Sequence, residues 1–353
     1  MRLIQVGLGS WGKSWSRVVC NTEGVEFAAV VDPVSEACRW AAEVLRLGAG
    51  DCYVSLDEAL QNAECEAVLV TTPPETHHSV VTEALESGKH VMVEKPLATT
   101  LPDARALIDA ANRADRTLMV SQNYRFTRPA RAVRSLVTEG VLGALIACKV
   151  ACRRDTRSRW PPDNFRYRIR HPYLQDMAIH HFDLLRAVTG QNVRRIYGRS
   201  WRVPDSPYLH DPAVVAAMEL EGGASVCYEG NWATHAPETS WTGDWELVGE
   251  AGRIIWKGDR RDRNSGQVIH EIWGLSPRLV QQPQLIGLER TATLQALRTA
   301  VENGTQPETD AADNINSLAT VMGCIRSVES GTVVDIGHLL DLEGTPDGPG
   351  VAL

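Results

Sequence analysis

The first third of the sequence alternates between short runs rich in valine and other strand formers and longer segments with helical periodicity. Predicted strands cover residues 3–6, 26–31, 67–71, 90–94 and 117–121, and predicted helices cover residues 11–20, 35–47, 56–61, 76–87 and 102–113. This order is typical of consecutive β-α-β units, whose strands lie parallel in one sheet. The sequence therefore predicts a doubly wound α/β domain that ends near Ser121.

The rest of the chain has more strand-like segments and fewer helices between them. Predicted strands cover residues 145–153, 193–202, 213–220, 224–232, 239–249 and 252–257. Such runs favour an open, mostly antiparallel sheet, which needs a cover on one face, and a second subunit is the cover we expect. We therefore expect domains at 1–121 and 122–353, the second ending in a helical tail (288–303 and 311–330) and a loose last dozen residues.

Composition limits the class of protein. A chain of 353 residues is long enough for two domains, and a net charge of -8 argues against nucleic-acid and anionic-membrane partners. Because the sequence shows neither a signal-peptide pattern nor an apolar run that could cross a bilayer, we expect a cytoplasmic protein. The eight cysteines form no C-x-x-C pair, so we expect free structural thiols, without disulfides or a metal site.

A glycine-rich turn joins the first predicted strand to the first helix. It contains Gly7, Gly9 and Gly12, with Ser10 and Trp11 between the last two glycines. In this spacing the first glycine permits a tight turn, the second lets a pyrophosphate approach the backbone, and the third allows close packing of the helix. The turn predicts a dinucleotide site at the helix N-terminus, but a lone glycine triplet is weak evidence.

Asp32 ends the second predicted strand, twenty residues after Gly12. A carboxylate there can accept hydrogen bonds from both adenosine ribose hydroxyls and repels a 2′-phosphate, which predicts NAD in preference to NADP. The alternative is that Asp32 only starts the next helix. The remaining predicted cofactor contacts follow later strands: Thr71, Thr72, Pro73, His77 (in preference to His78), Glu94, Lys95 and Gln122.

Lys95 follows the apolar run at residues 90–93 and precedes Pro96, which rigidifies the backbone. Most lysines lie on the surface, but this position indicates a lysine delivered to a site beside a nicotinamide, where it can share or relay a proton. We predict that Lys95 is catalytic.

A second group of polar residues, Asp176, His180 and Asp183, lies in a predicted helix. At about 100° per residue, His180 lies about 40° around the helix from Asp176, and Asp183 returns to nearly the same azimuth. A carboxylate beside an imidazole makes it a better base near neutral pH, so we predict His180 as the base and Asp176 as its support. The alternatives are an ordinary polar stripe and, for the base, the neighbouring His181.

Seven arginines lie between residues 153 and 170, close before that helix. They indicate either a carboxylate- or phosphate-bearing substrate or, the interpretation we favour, a solvated loop or subunit interface.

Taken in order, these motifs resemble the Gfo/Idh/MocA oxidoreductases. The resemblance spans nearly the whole chain and rests on the segments 6–12, 72–77, 88–97, 176–183 and 250–253. It implies a Rossmann domain followed by an α/β domain with an open sheet that is often buried in dimers or tetramers. It also implies that Lys95 lies at substrate and nicotinamide, often before a cis proline, and that the histidine matched by His180 is the base. Ala178 stands where this family commonly has glycine.

The expected function is NAD-dependent oxidation of a secondary hydroxyl on a sugar, cyclitol or related polyol, or the reverse reduction. Two alternatives stay open: a redox-neutral glycoside hydrolase that uses NAD, and a non-catalytic dinucleotide or sugar sensor. Homodimers or homotetramers are the expected assembly.

Overall fold

The computed structural model describes residues 1–343, so the prediction of a loose C-terminal stretch falls mostly outside it. The described residues form two compact units. The first contains residues 1–123 and 287–315, and the second contains residues 124–286 and 316–342. The prediction that everything after residue 121 belongs to the second domain is therefore wrong for residues 287–315.

The first unit has a six-stranded parallel sheet with the order β3-β2-β1-β4-β5-β6. The strands are β1 (Arg2–Val6), β2 (Glu26–Val31), β3 (Cys52–Tyr53), β4 (Ala67–Val70), β5 (His90–Glu94) and β6 (Leu118–Ser121). The helices between them are α1 (Ser10–Cys20), α2 (Ser35–Leu45), α3 (Leu56–Asn62), α4 (His77–Glu86) and α5 (Leu101–Ala114). The prediction of a doubly wound parallel domain is confirmed, since the strand order reverses between β1 and β4.

A helix from late in the chain completes the first unit's core. Helix α8 (Glu289–Asn303) places Leu294 and Leu297, both fully buried, in one cluster with Leu3, Trp15 and Val19. Burying two leucines stabilises the unit by about 3 to 6 kcal/mol, an upper estimate. Packing of these apolar side chains is the reason that residues 287–315 belong to the first unit.

The second unit has a nine-stranded sheet, in the order β14-β13-β12-β11-β7-β10-β9-β8-β15, in which only β7 and β10 pair in parallel. The strands are β7 (Leu145–Arg153), β8 (Val193–Trp201), β9 (Ala213–Leu220), β10 (Ser225–Asn231), β11 (Asp244–Gly249), β12 (Gly252–Gly258), β13 (Gly266–Ile272), β14 (Arg278–Leu279) and β15 (Val334–Asp335). The predicted open, mostly antiparallel sheet is confirmed. One face is buried, and Cys148 and Cys152 both point to it.

The helices of the second unit include α6 (Arg128–Thr138), α7 (Ile179–Thr189) and α10 (Ile336–Glu343). Helix α9 (Ala311–Ser330) begins in the first unit and ends in the second. A π-helical turn, Leu174–Ala178, leads directly into α7. No helix within residues 1–343 combines the length and the hydropathy needed to span a membrane.

A disulfide links Cys38 to Cys52, which corrects the prediction that all cysteines are free thiols. The two cysteines are 14 residues apart, so they form no recognisable motif in the sequence. In the fold, β3 lies beside β2, and α2 packs over both strands. The fold therefore brings the two side chains together at the edge of the sheet.

Candidate active site

The glycine turn adopts the conformation that a dinucleotide site requires. Gly7 has a φ of +94°, which disfavours a side chain, and a Cβ on Gly12 would lie 2.1 Å from the Gly7 carbonyl oxygen. A Cβ on Gly9, in contrast, would meet nothing within 4 Å. Gly9 is also the N-cap of α1 and has no side chain to satisfy the first N–H groups. The turn thus leaves open backbone where an anion can bind.

Gln5, which was not predicted as a site residue, stabilises this turn through hydrogen bonds of its side chain. Its buried amide donates to the carbonyl oxygen of Gly12 at 2.8 Å and lies 3.2 Å from the Thr71 hydroxyl. Thr71 in turn donates to the Gly7 carbonyl at 2.7 Å. Thr71, predicted as a cofactor contact, therefore helps to hold the glycine turn in shape.

Asp32 is buried at the end of β2, and both of its carboxylate oxygens accept backbone hydrogen bonds. Oδ2 accepts from Leu8 N at 2.7 Å, and Oδ1 accepts from Val34 N at 2.9 Å. The N-cap of α2 is Val34, so Asp32 does not cap that helix. Each carboxylate oxygen keeps acceptor capacity for a ribose hydroxyl, and the charge opposes a 2′-phosphate.

His77 is fully buried, which differs from the expectation that it faces the ligand crevice. Its ring lies 2.8 Å from the Pro96 carbonyl oxygen and 3.1 Å from the Thr72 carbonyl oxygen. Burial lowers the pKa of His77, and a neutral ring can donate to only one of these carbonyls at a time. The histidine therefore ties the loop after β4 to the loop after β5.

Glu94 holds the backbone that presents Lys95. Its carboxylate is buried, accepts from the Trp15 indole Nε1 at 2.7 Å and accepts from the Lys95 backbone N at 3.1 Å. The Lys95–Pro96 peptide is cis. Glu94 was predicted to contact the cofactor; in the structure one of its oxygens accepts from Trp15 and the other from the Lys95 backbone. No pattern in the sequence indicates Trp15 as its partner.

Thr72 Oγ1 and Gln122 Nε2 are among the buried side-chain atoms of the first unit that have no hydrogen-bond partner in the described residues. Both side chains follow strands of the parallel sheet at its carboxyl edge, β4 and β6 respectively, where doubly wound folds bind ligands. Gly9 and Pro73 are exposed in the loops at the same edge, and Ser10 is exposed at the start of α1. These residues fit a dinucleotide that spans the edge.

In the second unit, His180 lies in the first turn of α7 and stacks on Tyr124. The ring centroids are 4.4 Å apart and the planes differ by 14°. Tyr124 follows β6 closely in the chain but was not predicted. The stack fixes the plane of the imidazole, which a proton-transfer group needs.

Asp176 lies in the π-helical turn, so the regular α-helix assumed between Asp176 and His180 is wrong. Its Oδ2 accepts from Arg166 Nε at 2.6 Å, and the Arg166 guanidinium lies over the rings of Trp160 and Phe165. Arg166 thus orients the carboxylate. The predicted azimuths do not hold because a π-turn contains more residues than an α-turn.

Asp183, expected on the same helix face, instead belongs to a buried network. Arg125 donates two hydrogen bonds of 2.7 and 2.6 Å to the Asp183 carboxylate, and the Ser317 hydroxyl donates a third at 2.9 Å. All of these groups lie inside the second unit, so Asp183 is a structural residue.

His181 is buried on the other side of α7. Its Nδ1 lies 2.8 Å from the Tyr228 hydroxyl, and its Nε2 lies 2.8 Å from the Trp241 carbonyl oxygen. Burial lowers its pKa to about 4. A histidine that burial keeps neutral and that two internal partners hold in place is a structural group, which supports His180 as the working imidazole.

The low pKa of His181 predicts acid sensitivity. The unfolded state takes up a proton near pH 6.5 and the folded state only near pH 4, so stability falls as the pH drops through that window, by about 3 kcal/mol in total. We expect the melting temperature of wild type to fall more steeply than that of His181→Gln between pH 7 and 4.5. Parallel curves would contradict this account.

The arginines of residues 153–170 are largely paired. Five form ion pairs within the second unit: Arg153 with Glu229, Arg154 with Glu238, Arg157 with Asp155, Arg166 with Asp176, and Arg170 with Glu329. Arg154 and Arg159 lie over the Trp241 ring. These contacts give most of the cluster a structural role.

Family models and similar proteins agree with this geometry. Residues 1–122 match the model of an oxidoreductase family with an NAD-binding Rossmann fold, and residues 130–255 match the GFO/IDH/MocA C-terminal domain. The chain belongs to the GFO/IDH/MocA oxidoreductase family. It is an enzyme of the oxidoreductase class with an NAD-binding fold.

Three similar proteins illustrate the family. The 1,5-anhydro-D-fructose reductase of Ensifer adhaerens is 26% identical, with 94% of this chain and 97% of that protein covered. The myo-inositol 2-dehydrogenase of Thermotoga maritima is 27% identical, with 72% and 75% covered. An Agrobacterium radiobacter oxidoreductase solved with NAD+, L-tartaric acid and magnesium has a TM-score of 0.85 at 20% identity, with 96% and 99% covered.

Proposed function

We propose that this protein oxidises a secondary hydroxyl of a sugar, cyclitol or related polyol with NAD, or reduces the corresponding ketone. The observation that carries the proposal is the position of Lys95 at the carboxyl edge of the parallel sheet, directly after β5, where its backbone N–H donates to the buried Glu94 carboxylate. Relatives named for anhydrofructose and inositol support the substrate class. Bound NAD would supply the hydride acceptor.

The protein's own groups bind, orient and move a proton. Asp32 receives the adenosine ribose, and its charge favours NAD over NADP. His180, held in plane by Tyr124, takes the proton from the substrate hydroxyl, and Lys95 shares it. Asp176, oriented by Arg166, adds negative charge that stabilises the protonated imidazole.

The test is NADH formation by purified protein supplied with NAD and a panel of inositols, aldoses, uronic acids and polyols. Lys95→Met is the blank, and the panel is repeated with NADP. We expect absorbance at 340 nm to rise when wild type is supplied with NAD and one group of substrates. No rise is expected with NADP or with the Lys95→Met variant. Release of an aglycone without NADH would indicate the redox-neutral hydrolase, and dinucleotide binding without turnover of any substrate would indicate a sensor.

The exposed face of the second unit's sheet supports assembly into homodimers or homotetramers. It contains a depression of about 880 Å³, and Tyr197 and Val215 on this face are 43% and 42% exposed. We expect light scattering to give a multiple of the 38.8 kDa chain mass. Tyr197→Glu should lower that mass, and Val54→Glu, an exposed position in the first unit, should not. A monomeric wild type would exclude the assembly.

A further inference from the structure

Arg290 brings a positive charge to the beginning of α1. It lies in the first turn of α8, and its Nη2 donates to Ser14 Oγ at 2.9 Å. The guanidinium carbon lies 4.6 Å from the ring centroid of Trp11 and 5.3 Å from that of Trp15. Trp15 is fully buried, whereas Trp11 is 49% exposed. The guanidinium therefore lies beside the first turns of α1, between a buried anchor and an exposed ring.

The charge balance of the dinucleotide site calls for a cation at this position. A diphosphate carries two negative charges, whereas a helix N-terminus offers the equivalent of roughly half a positive charge. The turn from Gly7 to Gly12 has no basic side chain. Lys13, the next residue, has its ammonium 5.0 Å from the centroid of the Trp40 ring.

We propose that Arg290 pairs with the diphosphate of the bound dinucleotide and that Trp11 and Ser14 hold its guanidinium in place. This inference rests on the dinucleotide site of the proposed function and extends that site to a helix that follows the glycine turn by about 280 residues. A guanidinium suits the role because its planar fork donates several hydrogen bonds to phosphate oxygens.

The experiment compares ligands that differ in the diphosphate. ADP-ribose, which has the diphosphate, and adenosine, which lacks it, are titrated as competitors of NADH fluorescence in wild type, Arg290→Met and Arg290→Lys. The matched control is Arg298→Met, because Arg298 lies on the same helix and donates to the Glu23 carbonyl oxygen.

We expect Arg290→Met to weaken ADP-ribose binding by about 10- to 100-fold, with adenosine binding changed less than twofold. The salt dependence of ADP-ribose binding should flatten in the same variant, and Arg290→Lys should recover part of the affinity. Arg298→Met should bind like wild type.

Three results would overturn the inference. Equal losses for ADP-ribose and adenosine would show that Arg290 only fastens α8 to α1, and unchanged ADP-ribose binding would show that it has no role. If wild type itself binds neither NADH nor ADP-ribose, the dinucleotide site fails, and the inference fails with it. The wild-type titration therefore separates the two failures.

Discussion

Lys95→Met is expected to lower turnover by about two to four orders of magnitude while the dissociation constant for NADH changes little. Methionine keeps the length and apolar part of the side chain but cannot donate or accept a proton. The backbone contact from Lys95 to Glu94 does not involve the lysine side chain, so the cis-proline loop should keep its shape. Steady-state rates on the substrate found by the panel, together with NADH titration, measure both quantities.

Lys89→Met is the matched control, because Lys89 lies just before the same strand and its ammonium donates to the Cys65 carbonyl oxygen at 3.1 Å. This variant should keep wild-type turnover. If Lys95→Met also turns over substrate at a near-normal rate, Lys95 has no part in the chemistry.

His180→Asn is expected to reduce turnover by about two to four orders of magnitude, because asparagine preserves a polar planar group but cannot act as a base. His181→Gln should mainly reduce stability, since its ring is held between Tyr228 and the Trp241 carbonyl inside the second unit. Measuring turnover and melting temperature in both variants separates the two roles.

The opposite pattern, with full turnover in His180→Asn and loss of turnover at normal stability in His181→Gln, would transfer the base to His181. The pH profile gives a second check. If His181 were the base, its pKa of about 4 would place the acid limb of the profile near that value.

Much of the fold was predictable because its signals are local. The strand at residues 145–153, the strand at residues 213–220 and the helix at residues 311–330 were predicted with the observed bounds, since each has clear periodicity and clear ends. Strand β13 was missed because its inward positions include His270, which interrupts the apolar alternation. The two-residue strands β3, β14 and β15 are too short to show a period.

The parts of the site that escaped prediction depend on contacts between distant segments. The glycine turn and Lys95 are recognisable from local sequence patterns. Nothing in the sequence near Glu94, however, indicates that Trp15 donates a hydrogen bond to the Glu94 carboxylate. The pairing of Arg166 with Asp176 depends on a π-turn, which the assumption of a regular helix excludes. Arg290 approaches the glycine turn only because α8 packs on α1.

The return of α8 to the first unit affects how the chain can fold during translation. Residues 1–123 leave the ribosome long before residues 294 and 297, yet those two leucines share a core cluster with Leu3 and Val19. The nascent first unit therefore keeps part of its apolar surface uncovered while strands β7 to β14 are synthesised. A message truncated after β14 would encode the first unit without α8, the helix that completes its core.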